Sequence, residues 1–123
     1  GGYISAGGDV YAFNTSDRNL KTKIKPIQDA LDKVCSLSGN TFEWIPEHLE
    51  KIPENFRKAQ DVGVIAQEVI AVLPEAVATR PDGTLAVDYE KIVPLLVEAI
   101  KELRAELADL KKPSLLDKLK GKK

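Results

Sequence analysis

An α+β fold, with a small antiparallel sheet, two helices and one long C-terminal helix, is predicted by three features of this 123-residue chain. Two stretches carry apolar residues at helical spacing, one around Ile27 to Leu37 and one around Val64 to Leu73. Short runs of aromatic and β-branched residues follow each of them, the later ones bracketing a Pro-Asp-Gly turn signal. From Tyr89 onward the apolar residues change to a strict four-three spacing. Strands this short are not stable alone, so helices packed on a small sheet are the arrangement that buries both.

Each element has its own justification. Residues 1–13, GGYISAGGDVYAF, alternate apolar and small residues with glycine pairs, which reads as extended chain with little to pack. In KPIQDALDKVCSLSGN, Ile27, Ala30, Leu31, Val34 and Leu37 share a helix face, Pro26 suits the first turn and Gly39 the stop. Cys35 falls inside this pattern and is expected to be a buried thiol. NTFEWI supplies a strand through Thr41, Phe42, Trp44 and Ile45. Residues 46–61 are polar, carry two prolines and read as a surface excursion, with His48 as a solvated loop residue. VGVIAQEVIAVLPEAV is the second helix, turning Val64, Ile65, Val69, Val72 and Leu73 inward and ending at Pro74. AVATRPDGTLAVDY is a hairpin around Asp82-Gly83.

The last third differs in kind. Tyr89, Val93, Leu96, Ile100, Leu103, Leu107 and Leu110 step by 4, 3, 4, 3, 4 and 3 residues. That is a coiled-coil seam, with Val93, Ile100 and Leu107 at a and the others at d; a surface helix shows a broader stripe. Leu103 to Leu110 run beyond any core this chain can build, which favours self-association over packing on its own domain. The a and d residues are too mixed to set the number of strands. Pro94 fits if it lies in the first turn, so regular helix is expected to begin near Glu90. After Pro113 the tail SLLDKLKGKK is basic.

Composition excludes several classes of function. A net charge of −1 gives no electrostatic reason to expect nucleic acid or an anionic membrane as partner. No apolar run approaches the ~20 residues of a membrane span. A single Cys and a single His exclude an intrachain disulfide and a clustered zinc site. No Gly-rich phosphate loop, metal cluster or acid pair is present, so neither a cofactor nor a metal is expected. The absence of Met and the abrupt GGYISAGG lead are expected of a piece of a longer chain.

Chemistry enters at NTSDRNLK, residues 14–21. A serine hydroxyl needs a base to become a nucleophile, and a lysine can serve if burial or a cationic neighbour lowers its proton affinity. Lys21 follows Ser16 by five residues, and in extended chain the two side chains are over ~15 Å apart. A turn at Asp17-Arg18-Asn19 would bring Lys21 back, Asp and Asn being turn residues; Lys23 and Lys25 are alternative bases if the turn differs. Within its own chain Ser16 is best placed to attack the Thr15 carbonyl, an N-to-O acyl shift that would cut Thr15–Ser16. The same residues also fit a plain helix cap or turn.

SDRNLKTKIKPIQDAL resembles the opening of the intramolecular chaperone auto-processing domain, the Ser–Lys self-cleaving peptidase family of phage tailspikes and tail fibres. GNTFEW is similar to the strand after that family's first helix, and VGVIAQEVIAVLPEAV to its most recognisable segment. LAVDYEKIVPLLVEAIKEL resembles its entry into a coiled coil, so the likeness runs over about residues 14–110 in order. The resemblance implies a homotrimer whose chains hold upstream fibre strands in register until a lysine-activated serine cuts the chain. It places the serine at Ser16, followed by Asp17, and the lysine at Lys21. It further implies that residues 1–15 end the client fibre, 16–89 form the chaperone core, 90–112 the trimeric coiled coil and 113–123 a basic tail. Folding would then occur in the host cytoplasm, the fibre staying with the virion and the chaperone being released. Two other readings stand beside it. One is a non-catalytic trimerisation and attachment module; the other is the processing domain of a membrane-anchored transcription factor of the myelin regulatory factor type, a relative of the same family.

Overall fold

The structure, a computed structural model, describes residues 13–113. In chain order its regular elements are α1 (Ala30–Cys35), β1 (Asn40–Phe42), α2 (Pro46–Leu49), β2 (Asp61–Gly63), α3 (Ala66–Val72), β3 (Val77–Thr79), β4 (Leu85–Val87) and α4 (Ile92–Lys111). Short 3-10 turns at Arg18–Leu20, Glu54–Phe56, Pro74–Ala76 and Tyr89–Lys91 join them. This is an α+β fold, but its described strands form two separate antiparallel pairs rather than one sheet. β1 pairs with β2, Thr41 opposite Val62, and β3 pairs with β4, Ala78 opposite Ala86.

The core is small. Ala30, Val69, Leu73, Ala76, Ile92, Leu95 and Ala99 are buried, and Ile27, Leu31, Val34, Leu37, Val64, Val72, Val77 and Val87 pack around them. α1 lies on α4, while α3 lies on the β3–β4 hairpin. The apolar residues of α1 and α3 thus share one buried cluster with the inward stripe of α4, in which Leu95 is fully buried.

α1 is shorter than its apolar pattern. Pro26 does not open it: Asp29 adopts a left-handed backbone (φ 53°), and the helix proper starts at Ala30. No neighbouring side chain caps this end. Instead Glu102 of α4 accepts from the Ala30 amide at 2.7 Å, satisfying a donor that the first turn leaves free. The helix stops at Ser36, well before Gly39, with the Ser36 hydroxyl donating to the Lys33 carbonyl. Cys35 is exposed rather than buried, because the inward stripe runs through Ala30, Leu31 and Val34 and leaves Cys35 one step round the helix.

The stretch 46–61 carries structure of its own. Pro46 opens the single turn of α2 from its first position, and Arg57 donates to the Glu50 and Ile52 carbonyls to close the loop behind it. His48 is half-buried in α2 and not a solvated loop residue, its ring centroid 4.8 Å from that of Trp44. Trp44 meets Phe42 edge to face and donates to Asp61 of β2 at 3.3 Å, so the aromatic run that predicted a strand ties β1 to β2 after the strand has ended.

The second helical stretch is divided. Val62 and Gly63 belong to β2, and α3 begins only at Ala66. Gly63 lets the Tyr89 hydroxyl approach closely: a Cβ there would stand 2.5 Å from that oxygen, which accepts from the Val64 amide at 3.1 Å. Val69 and Leu73 are buried, whereas Ile65 remains 39% exposed because it precedes the helix in extended backbone. In the hairpin Gly83 takes φ +89°, a conformation that favours glycine. Asp82 accepts from both the amide and the hydroxyl of Thr84, which holds its carboxyl below the usual Asp range.

α4 has two apolar faces. Ile92, Leu95 and Ala99 are buried against the domain. The four-three seam lies about 100° round the helix from that stripe and is bare: Ile100 is 65% exposed, and Val93, Leu96, Leu103, Leu107 and Leu110 are exposed too. Pro94 sits in the first turn, where its missing N–H costs no hydrogen bond. No helix among the described residues is long and apolar enough to cross a membrane.

Candidate functional site

The site is built on one tight turn. Asp17 Oδ1 accepts from the Asn19 amide at 2.9 Å, and the Asp17 carbonyl accepts from the Leu20 amide at 3.0 Å. The Arg18 carbonyl then accepts from the Lys21 amide at 3.1 Å, closing a 3-10 turn over Arg18–Leu20. Asp competes well for such local backbone donors, which is why the chain turns here instead of running on. The turn cancels most of the extended distance between the two side chains. Lys21 Nζ donates to Ser16 Oγ at 2.7 Å.

Both members of this pair are exposed, as are Thr15 and Asp17. Leu20 and Ile24, on either side of Lys21, are also exposed, at 74% and 58%. Lys23 takes a left-handed backbone (φ 54°), rare for a residue with a side chain, and redirects the chain immediately after the pair. Neither Lys23 nor Lys25 bonds to Ser16; Lys21 does.

Among the described residues upstream of the serine, Asn14 ties the chain to the body of the domain. The Asn14 side-chain amide donates to the Glu90 carboxylate, across 76 residues of sequence. Glu90 stands in the 3-10 turn that opens α4, and its own amide donates to Asp88 Oδ1. Nothing in the spacing of the sequence marks this contact; Glu90 reads there only as the start of a helix.

The seam residues are not part of this pair. Tyr89, 53% exposed, is pinned to Val64 through its hydroxyl at the top of α4, and the rest run down the outer face of the helix. A cleft of about 710 Å³ opens between the two strand pairs, lined by Phe42, Trp44, Asp61, Arg80, Leu85 and Tyr89 among others. Ser16 and Lys21 do not line it. His48 faces the same cleft through Trp44 and stands apart from the serine.

A nucleophile-type residue in contact with a lysine, on an exposed turn at the head of an α+β domain, agrees with comparison to known families. A search of curated proteins gives no match. The model of a peptidase family described as chaperone of endosialidase matches residues 16–78, from Ser16 itself to the β3 strand. That span takes in the turn, α1, both strands of the first pair and α3, about half of the chain. The chain therefore belongs to the chaperone of endosialidase family.

Proposed function

We propose that this chain is a C-terminal intramolecular chaperone that trimerises a phage fibre or tailspike and then releases itself by cutting between Thr15 and Ser16. The observation that carries the reading is the 2.7 Å contact between Lys21 Nζ and Ser16 Oγ. In the reacting state a neutral Lys21 amine takes the hydroxyl proton while Oγ attacks the Thr15 carbonyl carbon. That attack closes a five-membered ring, whereas attack on the serine's own carbonyl would close a strained four-membered one. The Thr15–Ser16 C–N bond breaks, the Ser16 nitrogen receives the proton held by Lys21, and an ester to Oγ remains. Water hydrolyses the ester, giving Thr15 a carboxylate and leaving Ser16 as a free N-terminus with its hydroxyl restored.

Assembly would control this step. A lysine base works near neutral pH only when water is removed from it or a cation crowds it. In the single chain both side chains are exposed, with bare Leu20 and Ile24 beside them. Three chains joined along Tyr89, Val93, Leu96, Ile100, Leu103, Leu107 and Leu110 would bring a neighbour against this edge and dry it. The clamp also raises the effective concentration of the upstream strands to ~mM, which offsets the loop-closure cost of an interwoven β-fibre. Cutting afterwards would prevent the fibre from returning to its unfolded register. Residues 1–15 are then client, 16–89 the chaperone core and 90–112 the clamp. The work takes place in the host cytoplasm during virion assembly.

A second reading, a non-catalytic trimerisation and attachment module, is favoured by the exposure of the same pair. Intact mass of the freshly made chain separates the two, with Ser16→Ala and Lys21→Ala alongside. The proposal expects the wild type to lose a fragment ending at Thr15 while both variants stay whole. Full mass for all three in a trimeric sample would establish the attachment module instead.

A further inference from the structure

We infer that Glu90 is a positioning residue for cleavage, and that it selects an amide-bearing side chain two residues before Ser16; this rests on the cleavage reading above. The scissile bond Thr15–Ser16 has a fixed anchor on its downstream side, the Asp17-capped turn. Such a bond reacts well only if the upstream side is held too, because the attacking oxygen must meet the carbonyl carbon along one direction. The Asn14 amide, donating to the Glu90 carboxylate, is that second anchor.

The platform under Glu90 is rigid. Asp88 Oδ1 accepts from the Glu90 amide at 3.2 Å, the Tyr89 hydroxyl is tied to Val64 at 3.1 Å, and Lys91 Nζ donates to the Glu75 carbonyl at 3.3 Å. Tyr89 and Lys91 thus pin the opening of α4 to the link between β2 and α3 and to the Pro74–Ala76 turn, while Asp88 caps Glu90 within its own turn. The carboxylate is an acceptor only, so it favours Asn or another donor at position 14 and repels an acid. It also lies at the head of the seam, next to Tyr89 and one turn before Val93. Helix association there steadies the anchor as well as the clamp.

The test is a charge-reversal rescue on the full 123-residue chain, made by cell-free synthesis and quenched at intervals for intact mass. Asn14→Asp sets two carboxylates against each other and slows cutting about tenfold, as loss of a charge-assisted hydrogen bond to an exposed group would. Glu90→Gln, which keeps the shape, slows it about threefold. Together, Asp at 14 accepts from the new Gln amide, and the rate returns to within about twofold of wild type. Circular dichroism and sedimentation of each variant report fold and assembly, which a purely structural role of Glu90 would disturb in parallel with cutting. Equal slowing by Asn14→Asp with either residue at position 90 overturns the inference, and so does no slowing at all. If the wild type itself gives no fragment that Ser16→Ala abolishes, the cleavage reading fails and this one with it. A wild type that cuts while the pair shows no coupling removes Glu90 alone.

Discussion

Asp17 holds the contact between Lys21 and Ser16 without taking part in it. Its carboxylate accepts from the Asn19 amide and its carbonyl from the Leu20 amide, so the chain cannot straighten without losing both. Removing the carboxylate as Asp17→Ala costs the turn about 0.5–2 kcal/mol, the usual loss for such a cap. The fraction of chains with Lys21 against Ser16 falls with it, and under the proposed cleavage at Thr15–Ser16 cutting is expected to slow on the order of tenfold. Asp17→Asn keeps an acceptor at the same place and retains most of the rate. A quenched time course of intact mass for the two variants checks this, and equal rates for Ala and wild type would show that the turn does not control the pair. This part of the site is readable from sequence because it is local: Asp and Asn act on backbone groups two or three residues away. The Asn14–Glu90 contact spans 76 residues and has no such signature. The left-handed backbone at Lys23 is equally silent, since Lys has no residue-level preference for it.

Among the elements, those that form from neighbouring residues match the sequence and those completed from afar do not. The β3–β4 hairpin is of the first kind. Gly83 supplies the positive φ, and Asp82 binds the Thr84 amide and hydroxyl within the turn. α1 is of the second kind: its apolar spacing is visible, but its start depends on a carboxylate from Glu102 that only tertiary packing delivers. β2 likewise claims Val62 and Gly63 from a stretch with helical spacing, because Gly63 must admit the Tyr89 hydroxyl. Asp82 also makes the hairpin sensitive to acid. The Thr84 hydrogen bonds hold its carboxyl below the usual Asp value, so the unfolded chain binds its proton at higher pH than the folded one. Its contribution is therefore fully present above the ordinary Asp range of about 3.9 and is lost as pH falls through the lower, folded value. Asp82→Asn removes that dependence. Thr84 amide exchange followed by NMR from neutral pH downward should show protection fading at low pH in the wild type and a flat profile in the variant. Parallel profiles for the two would exclude Asp82 as the source.

At the scale of the whole molecule, α4 separates two demands that a single apolar stripe would confuse. Ile92, Leu95 and Ala99 build the core of one chain, while Val93, Leu96, Ile100, Leu103, Leu107 and Leu110 lie bare on another face. Four-three spacing in the sequence marks the second face but not the first, since Ile92, Leu95 and Ala99 are too few and Ala99 too small to stand out. Contiguous apolar surface of this kind is rare on a monomer, and burying a Leu or Ile side chain contributes about 1.5–3 kcal/mol. Two substitutions therefore have opposite signatures. Leu95→Ala opens a cavity in the buried cluster and costs about 2–5 kcal/mol, lowering the Tm of the single chain itself. Ile100→Asp places a charge on the seam and leaves the core untouched, so under the proposed association through this face the helical signal of the domain is expected to persist while the assembled mass falls to that of one chain. If assembly is what dries Lys21, the second variant also stops cutting although Ser16, Lys21 and Asp17 are all in place. Sedimentation equilibrium and intact mass on the same Ile100→Asp sample decide it. A monomer that still cuts at the wild-type rate would separate the peptidase from the clamp, and an undiminished oligomer would move the interface off the seam.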